Sequence, residues 1–254
     1  MSSALIGHTG FVGSNILLSE NFEFKFNSSN ISSISNRHFN RIVCAGVQAV
    51  KWQANKDPET DWSGIEKLIN ALRTVSTDRF ILISTIDVYQ HPQNIDETTI
   101  LSTQNGDPYG RHRLIFEEFV KKQFEQVHII RLPGLFGLNL RKNVLYDMLQ
   151  DNRLEFINPK SRFQWYDLSR LCSDIKKIED AGLSLTNLMP EPVETGAIQK
   201  LIFPDKKIGG NDGSSVFYDV RTINANIFGT EGNYIYNAEE VLNRIASFVK
   251  KMRI

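Results

Sequence analysis

Near the start of the chain, Ser3-Ala4-Leu5-Ile6 forms a short apolar run that leads directly into Gly7-His8-Thr9-Gly10-Phe11-Val12-Gly13 and then Ser14-Asn15-Ile16-Leu17-Leu18. A strand, a glycine-rich turn and a helix start in that order fix the first βα unit. Gly7 permits the tight turn, and Gly10 lets backbone approach an anion without an intervening Cβ. Gly13 lets the helix lie close to the strand. The unpaired N–H groups and positive dipole end of the new helix then suit the pyrophosphate of a dinucleotide. Plain packing of a glycine-rich turn is the alternative reading of this motif taken alone.

Apolar runs and helical periodicity alternate along the rest of the chain, which implies an α/β fold with a parallel sheet covered on both faces. Phe22–Phe26 and Arg41–Ala45 read as strands, Phe80–Ile83 as a central buried strand and Val127–Ile130 as another inner one. Ile65–Val75 has Ile65, Leu68, Ile69, Leu72 and Val75 on one helical face, and Leu114–Phe124 reads as a further helix. Residues 27–40 leave too little chain for a further helix and strand, so the expected fold is trimmed on that side. After Pro133 the rhythm loosens into helices at Val144–Gln150, Leu168–Ile178 and Ala238–Lys251. The expected architecture is a Rossmann-like doubly wound parallel sheet over residues 1–135. A small C-terminal substrate lobe, 136–254, is partly interleaved with it and lies over the carboxyl ends of the strands.

Composition narrows the function classes. With 254 residues the chain buries a full core, and 29 basic against 29 acidic residues give no bias toward nucleic acid or an anionic membrane. No stretch has the apolar length of a membrane span, and Met1-Ser2-Ser3 lacks the features of a secretory leader. Cys44 and Cys172 have no C-x-x-C or histidine partner, so they read as buried thiols in a reducing cytoplasm, and no metal site is expected.

Four more segments join the opening turn. They are Val43-Cys44-Ala45-Gly46, Ser84-Thr85-Ile86-Asp87-Val88-Tyr89, Pro108-Tyr109-Gly110 and Arg131-Leu132-Pro133-Gly134-Leu135-Phe136-Gly137. With the G-x-x-G-x-x-G turn they resemble, in order and spacing, the extended short-chain dehydrogenase/reductase superfamily and its NAD-dependent epimerase/dehydratase family. The likeness covers nearly the first 140 residues. It implies an NAD(P)-binding enzyme whose tyrosine, here Tyr109, exchanges a proton with a carbinol oxygen while Thr85 holds that oxygen. Such a phenol needs nearby positive charge to draw its pKa of about 10 toward neutrality. Thr85 has a second reading as a strand-end hydroxyl capping the next turn. The family's Y-x-x-x-K is replaced by Tyr109-Gly110-Arg111-His112-Arg113. Arg113 falls one helical turn from Tyr109 and either replaces the lysine, tuning the phenol and binding the nicotinamide ribose, or marks a dinucleotide-binding sensor or scaffold without full turnover.

Among the family's members the pattern is most similar to the dTDP-4-keto-sugar reductases, with Val43 to Pro58 lying over the corresponding segment without a gap. The resemblance implies reduction of a 4-keto nucleotide-linked sugar, with 4-epimerisation as the alternative. Elimination of the 4,6-dehydratase kind is disfavoured because Ile86 stands where those enzymes carry an acid. Cofactor contacts would come from Gly7, His8, Thr9, Gly10, Phe11, Val12, Asn27, Ser28, Ser29, Cys44, Ala45, Gly46, Ser84, Tyr109, Arg113 and Pro133. Val47, Gln48, Lys51 and Trp52 would lie near the site, with Lys51 and Trp52 offering a cation and a stacking face, or forming only a surface loop. Asp87 would touch substrate or cap the loop before His91-Pro92. Lys142 and Asn143, with Asn139 and Arg141, suit a nucleotide diphosphate, and Trp165 and Tyr166 would stack on sugar or base or fill the core. No carboxylate follows Phe22–Phe26, where Asn27-Ser28-Ser29-Asn30 stands, so NADP is favoured slightly over NAD; Arg37 and Lys25 are nearby cations. A homodimer is compatible with helices such as Ile65–Val75 and Leu114–Phe124.

Overall fold

A computed structural model of the chain describes residues 2–211 and 213–253, so Met1 of the leader reading lies outside the described residues. Two compact units are present. The first comprises residues 2–91, 98–132 and 169–187, and the second 92–97, 133–168 and 188–253.

The first unit is built on six parallel strands: β1 (Ser3–Ile6), β2 (Phe24–Phe26), β3 (Arg41–Cys44), β4 (Phe80–Thr85), β5 (Val127–Leu132) and β6 (Leu185–Asn187). Their spatial order is β6-β5-β4-β3-β1-β2, and every neighbouring pair is parallel. The chain moves outward from β1 to β2, then returns to place β3 on the other side of β1. Open α/β sheets receive ligands beside such a reversal, at the carboxyl ends of the strands. Only β2 lies beyond β1, which agrees with a fold trimmed between Asn27 and Asn40. That interval holds one turn of 3-10 helix, Ile31–Ile34, and a two-residue strand, His38–Phe39, paired with Ser76–Thr77 outside the main sheet.

Helices α1 (Phe11–Ile16), α2 (Lys51–Lys56), α3 (Pro58–Leu72), α4 (Pro108–Gln123) and α5 (Leu171–Asp180) complete the unit. Periodicity sets the buried face of α3, where Ile65, Leu68, Ile69 and Leu72 pack into the core with Phe80, Leu82 and Phe116. Each such side chain contributes about 1.5–3 kcal/mol of gross burial energy. The helix begins well before Ile65 because Asp57 accepts the Thr60 N–H at 3.1 Å and Pro58 stands at the first helical position. Asp107 and Pro108 start α4 in the same way, with Asp107 accepting the Gly110 N–H at 2.9 Å.

The second unit contains short strand pairs and helices at Val144–Gln150, Thr195–Ile202 and Ala238–Met252. Val241, Ile245 and Val249 form the buried stripe of the last helix, and Phe248 meets Phe136 with ring centroids 5.5 Å apart. A division at residue 135 does not follow the observed units. Leu185–Asn187 pairs with β5, and Glu179 of α5 bonds Arg41 of β3 at 2.9 Å, returning 169–187 to the sheet, while 92–97 joins the second unit. No helix among the described residues is long and apolar enough to cross a membrane.

Candidate active site at the carboxyl edge of the sheet

The three opening glycines occupy distinct environments. Gly7 has φ +86°, and a Cβ there would stand 2.3 Å from the Ala45 carbonyl oxygen, so the ends of β1 and β3 meet backbone to backbone. A Cβ at Gly13 would stand 2.2 Å from the Gly7 oxygen, which fixes the close seat of α1 on its strand. Gly10 faces open space beyond the Gly7 oxygen at 3.3 Å, and it is exposed together with Thr9. Helix α1 spans only six residues and has no side-chain cap and no acid in its first turn. An exposed, uncapped turn with bare Cα positions fits an anionic diphosphate, which supplies the acceptors the protein does not. His8 Nδ1 lies 3.0 Å from the Phe26 carbonyl, and Phe11 and Val12 are half-buried. Of the Cys44-Ala45-Gly46 edge, Ala45 and Gly46 reach the surface. The Cys44 thiol is wholly buried, and desolvation pushes it up to about 12, so its side chain is core and not a cofactor contact.

The turn after β2 is largely engaged with itself. Asn27 Oδ1 accepts from the Ser29 N–H at 2.9 Å and the Ser29 hydroxyl at 2.6 Å, while the Asn27 N–H donates to Asn30 Oδ1 at 2.7 Å. Lys67 Nζ donates to the Ser28 carbonyl at 2.9 Å, which brings to this turn a cation the sequence reading overlooked. Arg37 instead lies over the Phe24 ring, 4.7 Å from its centroid, and Lys25 is exposed on β2.

Tyr109 stands in the first turn of α4 and is 6% exposed. Its phenol is pushed up by burial and by Asp87. The charges of Arg113 and Lys51 and a hydrogen bond with Thr85 pull it down, and the net direction is upward. The expectation that positive charge carries this phenol toward neutrality is therefore corrected, because desolvation outweighs it. Thr85 ends β4, and its hydroxyl accepts the Asp87 N–H at 3.1 Å, as the capping reading expects. Gly110 is dictated by the same corner, since a Cβ there would stand 2.0 Å from the Asp87 carbonyl oxygen. Tyr109 N–H donates to Asn55 Oδ1 at 2.9 Å, tying α2 to the head of α4.

Arg113 is 4% exposed and fully engaged at its terminal nitrogens. Nη1 donates to Asp61 Oδ2 at 2.6 Å and to the Tyr109 carbonyl at 3.0 Å, and Nη2 donates to Asp61 Oδ1 at 2.8 Å and to the Gln48 carbonyl at 2.5 Å. Its Cζ lies 3.8 Å from the Tyr109 ring centroid. The guanidinium thus acts on the phenol across the ring face, and the expected role in binding a ribose with these nitrogens is corrected. Burial pushes the Asp61 carboxyl up, but hydrogen bonds from Arg113 and His112 and their charges hold it below the usual carboxylate range.

Ser84 is half-buried and its hydroxyl is engaged, donating to Glu117 Oε1 at 2.5 Å. Glu117 accepts from Arg131 Nε at 3.0 Å and Nη2 at 2.5 Å, and Arg131 Nη1 donates to the Tyr89 hydroxyl at 2.8 Å. Lys51 Nζ pairs with Asp87 Oδ1 at 2.6 Å and with Asp107 Oδ2 at 3.7 Å. Trp52 is 69% exposed beside Lys51 and presents a free ring face.

In the second unit Pro133 is half-buried and Asn139, Arg141 and Lys142 are exposed. Asn143 is a structural residue. Its Oδ1 accepts the Tyr146 N–H at 3.1 Å as a helix cap, and its Nδ2 donates to the Leu135 carbonyl at 2.8 Å. Trp165 is 3% exposed and Tyr166 is wholly buried, so the stacking role gives way to the core role for both. Asp61, Lys67, Asn55 and Glu117 were not anticipated. The packing of α2 and α3 beside α4 reveals Asn55 and Asp61, Lys67 meets the turn after β2, and Glu117 meets β4 and β5.

The family model described as NAD dependent epimerase/dehydratase family matches residues 28–150, just under half of the chain. No curated protein matches. Among solved structures the chain is similar to dTDP-4-dehydrorhamnose reductase from Bacillus anthracis str. Ames in complex with NADP, at 17% identity, 96% and 97% coverage of the two chains and TM-score 0.72. A dTDP-4-dehydrorhamnose reductase ortholog from Clostridium acetobutylicum gives 14% identity, full coverage of both chains and TM-score 0.75. UDP-N-acetylglucosamine 4-epimerase from Methanobrevibacter ruminantium M1 gives 12%, 98% and 97% coverage and TM-score 0.73. At these identities the likeness shows the Rossmann-like fold.

Proposed function

We propose that the chain, whose residues 28–150 match the NAD dependent epimerase/dehydratase family model, is an NAD(P)H-dependent reductase of a 4-keto nucleotide-linked sugar. The observation that carries this reading is the buried Tyr109 at the head of α4, hydrogen-bonded with Thr85 at the end of β4. The exposed turn Gly7–Val12 would hold the cofactor diphosphate, with Ala45 and Gly46 bordering the adenosine. When bound, the nicotinamide supplies a hydride to the carbonyl carbon. Thr85 fixes the carbonyl oxygen, and Tyr109 gives its phenolic proton to that oxygen as it gains charge. The phenolate left behind lies under the Arg113 guanidinium and regains its proton from solvent. Trp52, beside Lys51, offers a stacking face to the substrate, and the free thiols Cys44 and Cys172 suit a reducing cytoplasm.

A 4-epimerase would begin by removing a proton from the sugar hydroxyl. The same phenol would serve both reactions, so net oxidation of the reduced cofactor is what separates them. NADPH is the expected cofactor, because the Asn27–Asn30 turn carries no carboxylate and Lys67 stands beside it. The test mixes the protein with NADPH or NADH and a panel of 4-keto and 4-hydroxy nucleotide sugars while absorbance of the reduced cofactor is followed. Oxidation that needs a 4-keto sugar and is faster with NADPH supports the reading. Interconversion of 4-hydroxy sugars without net oxidation favours an epimerase, and tight cofactor binding with no turnover favours a sensor.

A further inference from the structure

The departure from Y-x-x-x-K is matched by a residue on another helix. Asp61 of α3 is 7% exposed at its side chain, and its two oxygens take both terminal nitrogens of Arg113 at 2.6 and 2.8 Å. His112, next to Arg113 in α4, adds a third contact from Nδ1 to Oδ2 at 2.8 Å, and the Trp62 ring packs 5.4 Å from the His112 ring. A two-toothed contact sets the plane of a guanidinium as well as its place. Here the opposite donors of the same two nitrogens reach the carbonyls of Tyr109 and Gln48. Four donors of one planar group therefore bridge α3, the head of α4 and the loop after β3, and that plane lies 3.8 Å from the Tyr109 ring centroid. A lysine at 113 has one nitrogen and cannot span these acceptors.

We propose that Asp61 is a positioning residue, which locks Arg113 against the ring face of Tyr109 so that an arginine takes over the electrostatic part of the lysine's work. This rests on the reductase reading for its kinetic consequence, though the lock itself is a property of the chain alone. A carboxylate that merely neutralised a buried cation would leave the rate of the proton step untouched once the fold was kept. A carboxylate that orients the cation sets that rate.

The test compares wild type with Asp61→Asn, Asp61→Glu and Arg113→Lys, all full length, with thermal melting to confirm folding. Arginine side-chain nitrogen NMR, with Arg113 assigned by its absence in Arg113→Lys, gives four separate terminal N–H signals in wild type. In folded Asp61→Asn these signals merge through rotation, and kcat falls about tenfold while the NADPH Kd changes less than threefold. Asp61→Glu recovers at least half of the lost kcat. Four signals persisting in folded Asp61→Asn, or a kcat within twofold of wild type, would overturn the proposal. Should Asp61→Asn fail to fold, Arg113→Lys decides. The expected result is a tenfold lower kcat despite the retained charge, and a wild-type rate shows that charge without orientation suffices. If no sugar is turned over by wild type the reductase reading fails, while the NMR comparison still decides the lock.

Discussion

At the scale of single residues, two buried cations divide the labour at the end of the sheet. Arg131 and Glu117 are 2% and 0% exposed, and their paired contacts at 3.0 and 2.5 Å are joined by Ser84 and Tyr89. Removing one member leaves an uncompensated buried charge. Glu117→Ala is therefore expected to lower stability by about 3–5 kcal/mol, read from urea unfolding, and a loss under 1 kcal/mol would show that the pair relaxes toward water. Arg113 is placed differently, because its Cζ lies over the ring of Tyr109, the proposed proton donor. Burial raises the Tyr109 phenol from its ordinary value near 10, so its proton-bearing form persists through neutral pH and is lost only as pH climbs through the raised value. The reductive kcat is thus expected to stay level through neutral pH, with its alkaline fall above the ordinary phenol range. A pH–rate profile whose alkaline limb centres near neutrality would contradict this.

At the scale of elements, α4 is placed by its first turn. Asp107 caps it, Pro108 starts it, and the absent Cβ of Gly110 lets it sit against the Asp87 carbonyl, which brings Tyr109 and Thr85 to one corner. Gly110→Ala puts a carbon 2.0 Å from that oxygen, so α4 must shift. The expected cost is about 1–3 kcal/mol in thermal or urea unfolding, with loss of kcat exceeding loss of cofactor affinity. A variant with wild-type stability and rate would show that the corner is pliable. Much of this was legible in the sequence. The opening βα unit, the apolar runs of β4 and β5, and the Pro108-Tyr109-Gly110 helix head are local signals. Asp61 was not legible, because it meets Arg113 from 52 residues away, and only the packing of α3 on α4 joins them. The strand Leu185–Asn187 was missed for a related reason. A Leu-Thr-Asn run has no apolar periodicity, and its pairing with β5 is a tertiary fact. Trp165 and Tyr166 show the converse, since an aromatic pair in sequence carries no sign of whether it faces a ligand or a core.

At the scale of the whole molecule, the trimmed order β6-β5-β4-β3-β1-β2 keeps the reversal at β1 and β3 while dispensing with a further strand past β2. What survives at the carboxyl edge is the set of features the proposed reductase would use. It keeps an open glycine turn at the end of β1, a hydroxyl at the end of β4, and a tyrosine brought to that hydroxyl by α4. The most direct measurement is a single-turnover comparison of wild type and Tyr109→Phe. Each is loaded with NADPH, mixed with the 4-keto nucleotide sugar that supports wild-type turnover, and followed by loss of reduced-cofactor absorbance. The expected result is a rate lowered by about 10²–10⁴-fold in Tyr109→Phe with NADPH affinity unchanged. An undiminished rate in that variant would contradict the role assigned to the phenol.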